Sequence, residues 1–366
     1  MANNNSKGLK IGLAVVVVAL IVAAGAYYLF SPNKPESIKI GAIIPMSGPA
    51  SHLSVVGEGL QYVVDELNVW GGINGRPIEL IIADSQSKPD IGKKMFLQIE
   101  ETHHPVLYIS VTSSVSIAVA PLAEQYQVPV AGLVVSASNF TKLNPWLFRY
   151  YFSAQNEAAT MLPILKELKT KKLGILYQND AYGLSVLKKL QQTYGKAGGF
   201  ITSEPFSPGE PDLNQQINKL KKMEAIYAVG FSRDLHRAVK QLKAASYPGA
   251  IMAASGITAS EATNGVYTAA PIIYNPKNSF ANDIRQKYET KTNKPFTHYI
   301  ATGYDFLQLV SALMIDKEVN RQTVKRALES GFSHNGVFGS FDVQPGERDI
   351  YFPLYPVQIR NGKLVF

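Results

Sequence analysis

PVLYISV, residues 105–111, is apolar on what would be both faces of a strand, and it is one of a series. VPVAGLVV (128–135) has the same character, and the β-rich SIKIGAII (37–44) and PIELIIAD (77–84) read as further strands. Runs this short and this apolar suit strands buried on both sides, the condition of a parallel sheet covered by helices. The stretches between them supply those helices. Val56, Leu60, Val63, Val64 and Leu67 fall at helical spacing, as do Ile91, Met95, Phe96 and Ile99, and a further helix is expected over 117–126. The βαβα order predicts an α/β chain.

The pattern then restarts. Strands are expected at 171–178, 200–206, 225–231 and 249–255, with helices over 184–194, 213–223 and 235–244 between them. No close sequence repeat relates the two halves. Helices near 279–290, 298–315 and 321–329 follow, and then β-like segments at 336–342 and 350–359. A chain of 366 residues exceeds what one core usually serves, so two α/β units are expected. Open parallel sheets bind ligands beyond the carboxyl ends of their strands. The loops there, such as Pro45–Leu53, Thr112–Ser116, Ser136–Asn139 and Asn179–Tyr182, are rich in small polar residues and poor in charge.

Several chemistries are disfavoured. Gly71, Gly72 and Gly75 in NVWGGINGRPIEL follow a helix and precede a strand, the reverse of a phosphate loop. They read instead as a left-handed helix end followed by a tight Asn74-Gly75 turn. There is no cysteine, which removes disulfides and thiol chemistry. His103 and His104 are adjacent, so their rings diverge, and neither a metal nor another cofactor is expected. No nucleophile elbow is present, and no feature argues for an enzyme. The formal charge of +8 is not gathered into an aromatic-interleaved basic stretch, so nucleic acid is not an expected partner.

Lys7 and Lys10 precede Ile11–Phe30, a run with no charge. Positive flank and apolar run have the form of an export signal, and Ala24-Gly25-Ala26 offers a cleavage site. About 20 apolar residues also span a bilayer, so an uncleaved membrane anchor fits equally. Either places the body outside the cytoplasm, periplasmic or on the outer face of the membrane.

Taken in order, IKIGAIIPMSGPA, VVDELNVWGGINGRPIELIIADSQSKP, VTSSVSIAVAPLAEQYQVPV, LYQNDAYG and GVFGSFDVQPGERDIYFPLYPVQIRNGKLV resemble the type I periplasmic binding proteins. Those most similar in kind are the leucine/isoleucine/valine- and amide-binding components of ABC importers. The resemblance spans about residue 38 to the end. It implies two doubly wound parallel-sheet lobes joined by three crossovers and closing on a solute. Residues 1–36 would precede them as a hydrophobic signal or anchor helix with its linker. Lobe 1 would take 38–152 with 277–334, and lobe 2 153–276 with 335–366. The solute, a carboxylate, amide or amino acid, would be handed to a membrane permease, with a ligand-sensing receptor as the alternative and an exported enzyme as the lesser one.

Carried over residue by residue, the ligand positions fall on Ser113, Ser114, Ser136, Ala137 and Ser138 of lobe 1. Tyr182, Phe231 and Ser255 correspond in lobe 2. The first-loop aromatic falls near Leu53, beside His52. Where amino-acid binders carry an acid after the fifth lobe 2 strand, this chain has Ser255, with Asp234 or Glu261 as possible substitutes. An ammonium enclosed without a counter-charge costs several kcal/mol. The expected ligand is therefore not a plain α-amino acid.

Overall fold

The structure is a computed structural model and describes residues 35–274 and 277–366. The expected segment Ile11–Phe30 lies outside the described residues, and no helix among those described is long and apolar enough to cross a membrane.

Two sheets organise the chain. The first contains β1 (Ile38–Ile44), β2 (Ile78–Asp84), β3 (Leu107–Val111), β4 (Val130–Leu133), β5 (Leu147–Tyr150) and the short β13 (Asp349–Ile350). Its order is β13-β5-β4-β3-β1-β2, and every pair is parallel. All five residues of β3 are buried, including Ser110, whose hydroxyl accepts from Ser116 at 2.8 Å.

The second sheet is built from β6 (Lys172–Gln178), β7 (Phe200–Phe206), β8 (Ala225–Val229), β9 (Ala250–Ala253), β10 (Tyr267–Pro271), β14 (Leu354–Arg360) and β15 (Lys363–Val365). Its order is β15-β14-β10-β9-β8-β6-β7, parallel from β7 through β10 and antiparallel at β14 and β15. A hairpin, β11 (Phe332–Gly336) with β12 (Gly339–Val343), stands apart from both sheets.

Three crossovers join the sheets, after β5, after β10 and after β13. The last lies later than the boundary expected at 334/335. Val337, Phe338, Val343, Ile350 and Phe352 are buried in the core of the first sheet, and β13 pairs with β5 there. Residues to about 352 therefore pack with the first lobe. An ion pair fixes this arrangement, Arg149 Nε to Asp349 at 2.8 Å, with Arg149 wholly buried. Phe352 meets Tyr151 edge-on at 5.5 Å and stacks on Phe338 at 3.8 Å, so two crossovers share one aromatic cluster. β5 and β10 are strands the sequence pattern did not disclose.

Two helices of the first lobe place a wall of the cleft. α1 (Val55–Val69) crosses α9 (His298–Leu313) closely enough that a Cβ at Gly59 would lie 2.0 Å from the Ile300 carbonyl oxygen. At Gly303 it would lie 2.4 Å from that of Val56. The missing side chains let the backbones touch while Leu60, Val63 and Ile300 bury against one core, each contributing about 1.5–3 kcal/mol. The amino end of α9, with His298 and Tyr299, is thereby held at the cleft.

Candidate functional site

The carboxyl ends of β3 and β4 deliver the first wall. α3 (Ser113–Gln125) begins two residues after β3, and Ser113, its first residue, is 3% exposed. The loop after β4 runs past it, and the backbone N–H groups of Ser136 and Ala137 donate to Ser113 Oγ at 3.2 and 3.1 Å. Two amide donors thus converge on one neutral oxygen at a helix amino terminus, where negative charge is favoured. The backbone is strained here. Thr112 has φ +74 and Val134 φ +57, conformations that branched side chains rarely adopt.

The second lobe supplies the facing wall. α5 (Ala181–Leu190) is capped by Asp180, which accepts from the Gly183 N–H at 2.9 Å and so fixes Tyr182 in the first turn. Tyr182 stacks near Phe231, with ring centroids 6.2 Å apart and planes 23° from parallel. Phe231 lies at the start of α7 (Ser232–Ala244). Ser255 follows β9 and is 7% exposed.

His52 bridges the lobes. Its ring lies 5.8 Å from Phe231 and 6.1 Å from Tyr299. Neither ring nitrogen has a hydrogen-bond partner among the described residues. Burial, reinforced by the positive field of Arg233 and by His236, lowers its pKa to about 4. His298, against Tyr299 at 3.9 Å, is lowered to about 3, by burial first and then by His52. Both imidazoles are neutral at pH 7.

Ser113, Ser136, Tyr182, Phe231 and Ser255 line one narrow cavity of about 20 Å³. All five are positions expected from the sequence. Ala137, also expected, contributes its N–H from just behind, whereas His52 touches Phe231 and Tyr299 without lining this cavity. Ser114 and Ser138 are half-buried and do not line this cavity. Leu53 is fully buried, so His52 and not its neighbour makes the aromatic contact.

Gly256, which opens the loop after the strand expected at 249–255, lines it too, and so do Val134, Tyr151, Phe152, Gly230 and Tyr299, which were not expected from the sequence. Tyr151 and Phe152 sit in a crossover and Tyr299 on a distant helix, so only the tertiary fold brings them in. The proposed acids are not on the wall. Asp234 pairs with Arg237 at 2.5 Å and also accepts from the Gly209 N–H, while Glu261 accepts from Asn264.

A different acid lies beneath. Glu157, in α4 (Ala154–Glu167), is wholly buried, and its two oxygens accept from the Ser255 N–H and the Tyr182 hydroxyl, each at 2.7 Å. Burial raises its pKa against the lowering effect of those bonds. Glu157 braces two wall residues and does not itself reach the cavity. Its place in a long apolar helix (AATMLPIL follows it) hid it from sequence reasoning.

Residues 37–363 match a family model described as periplasmic binding protein. The Leu/Ile/Val-binding protein BraC3 of Rhizobium johnstonii is 27% identical over 252 residues, 67% of this chain and 68% of that protein. The branched-chain amino acid transporter substrate-binding protein LivJ of Streptococcus pneumoniae, solved in complex with isoleucine, superposes with a TM-score of 0.81 at 22% identity. That match covers 90% of this chain and 98% of that one. A solute-binding protein from R. palustris in complex with benzoate gives a TM-score of 0.81 at 18% identity, covering 90% and 95%. At these identities the two structures share the fold with this chain.

Proposed function

The chain belongs to the periplasmic binding protein family, and from that premise we propose that it is an extracytoplasmic solute-binding protein that closes on a small carboxylate and presents it to an ABC-type permease. The two sheets with their helices act as rigid lobes, and ligand shifts an existing open–closed equilibrium. Binding occurs without turnover.

One observation carries the choice of ligand. The Ser136 and Ala137 N–H groups converge on the Ser113 hydroxyl, and no acidic side chain lines the opposite wall. A carboxylate oxygen is a stronger acceptor for those donors than a serine hydroxyl. An α-ammonium would meet only Tyr182, Phe231 and Ser255, since Glu157 has both oxygens engaged below them. The benzoate and isoleucine complexes of the two structural relatives mark the alternatives.

Calorimetry with benzoate and with leucine tests the proposal. Benzoate is expected to bind at least tenfold more tightly, about 1.4 kcal/mol. At a hundredfold excess over Kd it adds about 2.7 kcal/mol to stability, visible as a raised Tm. Tighter binding of leucine would overturn the assignment.

A further inference from the structure

The narrow cavity has a much larger neighbour. Across Ser255, Gly256 and Tyr299, which line both, lies a chamber of about 460 Å³. The first has room for little more than a single water, and the second falls in the roughly 300–1,000 Å³ range of ligand pockets. The chamber is mostly apolar, with Ile257, Ala270, Pro271, Leu364 and Phe366 on its walls. Lys363, exposed at its rim, is the one Lys or Arg on the lining, and burial lowers the pKa of His298, also on the lining, to about 3.

The partition between the two spaces has a revealing origin. Tyr299 stands on α9 of the first lobe, and Ser255 and Gly256 follow β9 of the second. The wall is therefore built by residues of both lobes, and separation of the lobes would part it. In the open form the spaces join into one trough, with the Ser136 and Ala137 donors at one end and apolar surface at the other. A solute loaded there is held along its whole length when the lobes close, provided it is slim where it passes Tyr299.

We propose that the chamber is a second compartment of the solute site and that the ligand is an elongated amphipathic acid, an arylalkanoate or medium-chain carboxylate. This rests on the solute-binding function proposed above and adds the ligand's length and apolar body. Its carboxylate takes the Ser113 end, and its hydrocarbon passes between Tyr299 and Gly256 into the chamber. No acidic side chain lines either space, and Lys363 at the rim favours the approach of an anion.

The test is calorimetry on the full chain with leucine, benzoate and 5-phenylpentanoate. Each methylene buried tightens binding about fourfold, and ordering of the chain offsets part of that. 5-Phenylpentanoate is thus expected to bind at least about tenfold more tightly than benzoate. Thr258→Trp and Leu364→Trp each put an indole into the chamber from a different wall. Both are expected to weaken 5-phenylpentanoate at least about tenfold and benzoate less than twofold, with benzoate binding serving as proof of folding. Equal affinity for the two acids, untouched by either variant, overturns the compartment and leaves the carboxylate proposal standing. Preference for leucine over both acids, or no binding of any acid, overturns that earlier proposal and this one with it.

Discussion

The two ends of the first sheet handle the same backbone problem differently. At the amino end, where α1 turns into β2, Gly71, Gly72, Asn74 and Gly75 have φ of +92, +76, +52 and +78. Gly72 N–H closes the helix onto Leu67 O at 2.9 Å, and Ile73 and Arg76 exchange both backbone bonds around Asn74-Gly75. Glycine and asparagine take these angles at little cost. At the carboxyl end, Thr112 and Val134 are the two β-branched residues with positive φ among those described, each following a strand that points into the cleft. Strain of about 1–3 kcal/mol per residue persists only where surrounding structure enforces it, and such residues cluster at binding sites. One end is built for stability, the other holds a shape.

The largest effect that could break this contrast is expected at Gly72. A Cβ there would lie 1.9 Å from the Arg76 carbonyl oxygen, so Gly72→Ala combines left-handed strain with a backbone clash. It is expected to cost roughly 3 kcal/mol or more in urea unfolding, in the tail of single substitutions. Gly75, with φ +78 and open space around its Cα, is the control. Gly75→Ala is expected to lose only about 1–2 kcal/mol, the left-handed penalty alone. Equal losses would mean the turn relaxes around Gly72, and the amino end is softer than its hydrogen bonds suggest.

The amino end was legible in the sequence because its signals are local. Glycine after a helix and Asn-Gly before a strand need no tertiary information, and the turn forms as they dictate. The strands with largely apolar runs, β1, β3 and β8, were legible for the same reason. β5 (LFRY) was not, since four residues with a central arginine carry no period; Arg149 is tolerated inside only through Asp349, 200 residues away. The cleft was half legible. Ser113, Ser136, Tyr182, Phe231 and Ser255 sit directly after strands, where topology directs attention. Tyr299 and Glu157 enter from helices whose partners only the fold reveals, and the position of the last crossover depended on β13, two residues long.

Acid titration gives the next effect, at the cleft end. His52 and His298 are lowered to about 4 and about 3, so the folded protein keeps them neutral while the unfolded chain takes up protons below about 6.5. Their contribution is complete above pH 6.5 and is lost as pH falls toward 4 and 3. Glu157 has the opposite sign. Its raised pKa contributes stability below the unfolded carboxylate value and loses it as pH rises through the folded one. Urea midpoints between pH 3 and 8 should show His52→Phe with a shallower acid limb and Glu157→Gln with a flatter alkaline one. His52→Phe also removes two buried nitrogens that lack partners among the described residues, and is expected to gain about 1 kcal/mol at pH 7. An unchanged acid limb in His52→Phe would mean the imidazole is hydrated in solution.

The smallest stability effect is the most informative about the cleft. In Thr112→Gly, relief of strain at φ +74 and the greater freedom of glycine in the unfolded chain oppose each other, about 1–3 against roughly 0.5–1 kcal/mol. The variant is expected to be as stable as the parent or slightly more so, although a buried residue has been truncated. Ligand affinity should nonetheless fall, by about tenfold if holding the Ser113 hydroxyl and the Ser136 and Ala137 donors in place is worth about 1.4 kcal/mol. The same substitution at an unstrained buried threonine, Thr302→Gly in the middle of α9, should do the reverse, losing stability and sparing affinity. If Thr112→Gly destabilises without weakening benzoate, the positive φ at the strand end is a packing compromise. The two ends of the sheet would then differ in residue type but not in purpose.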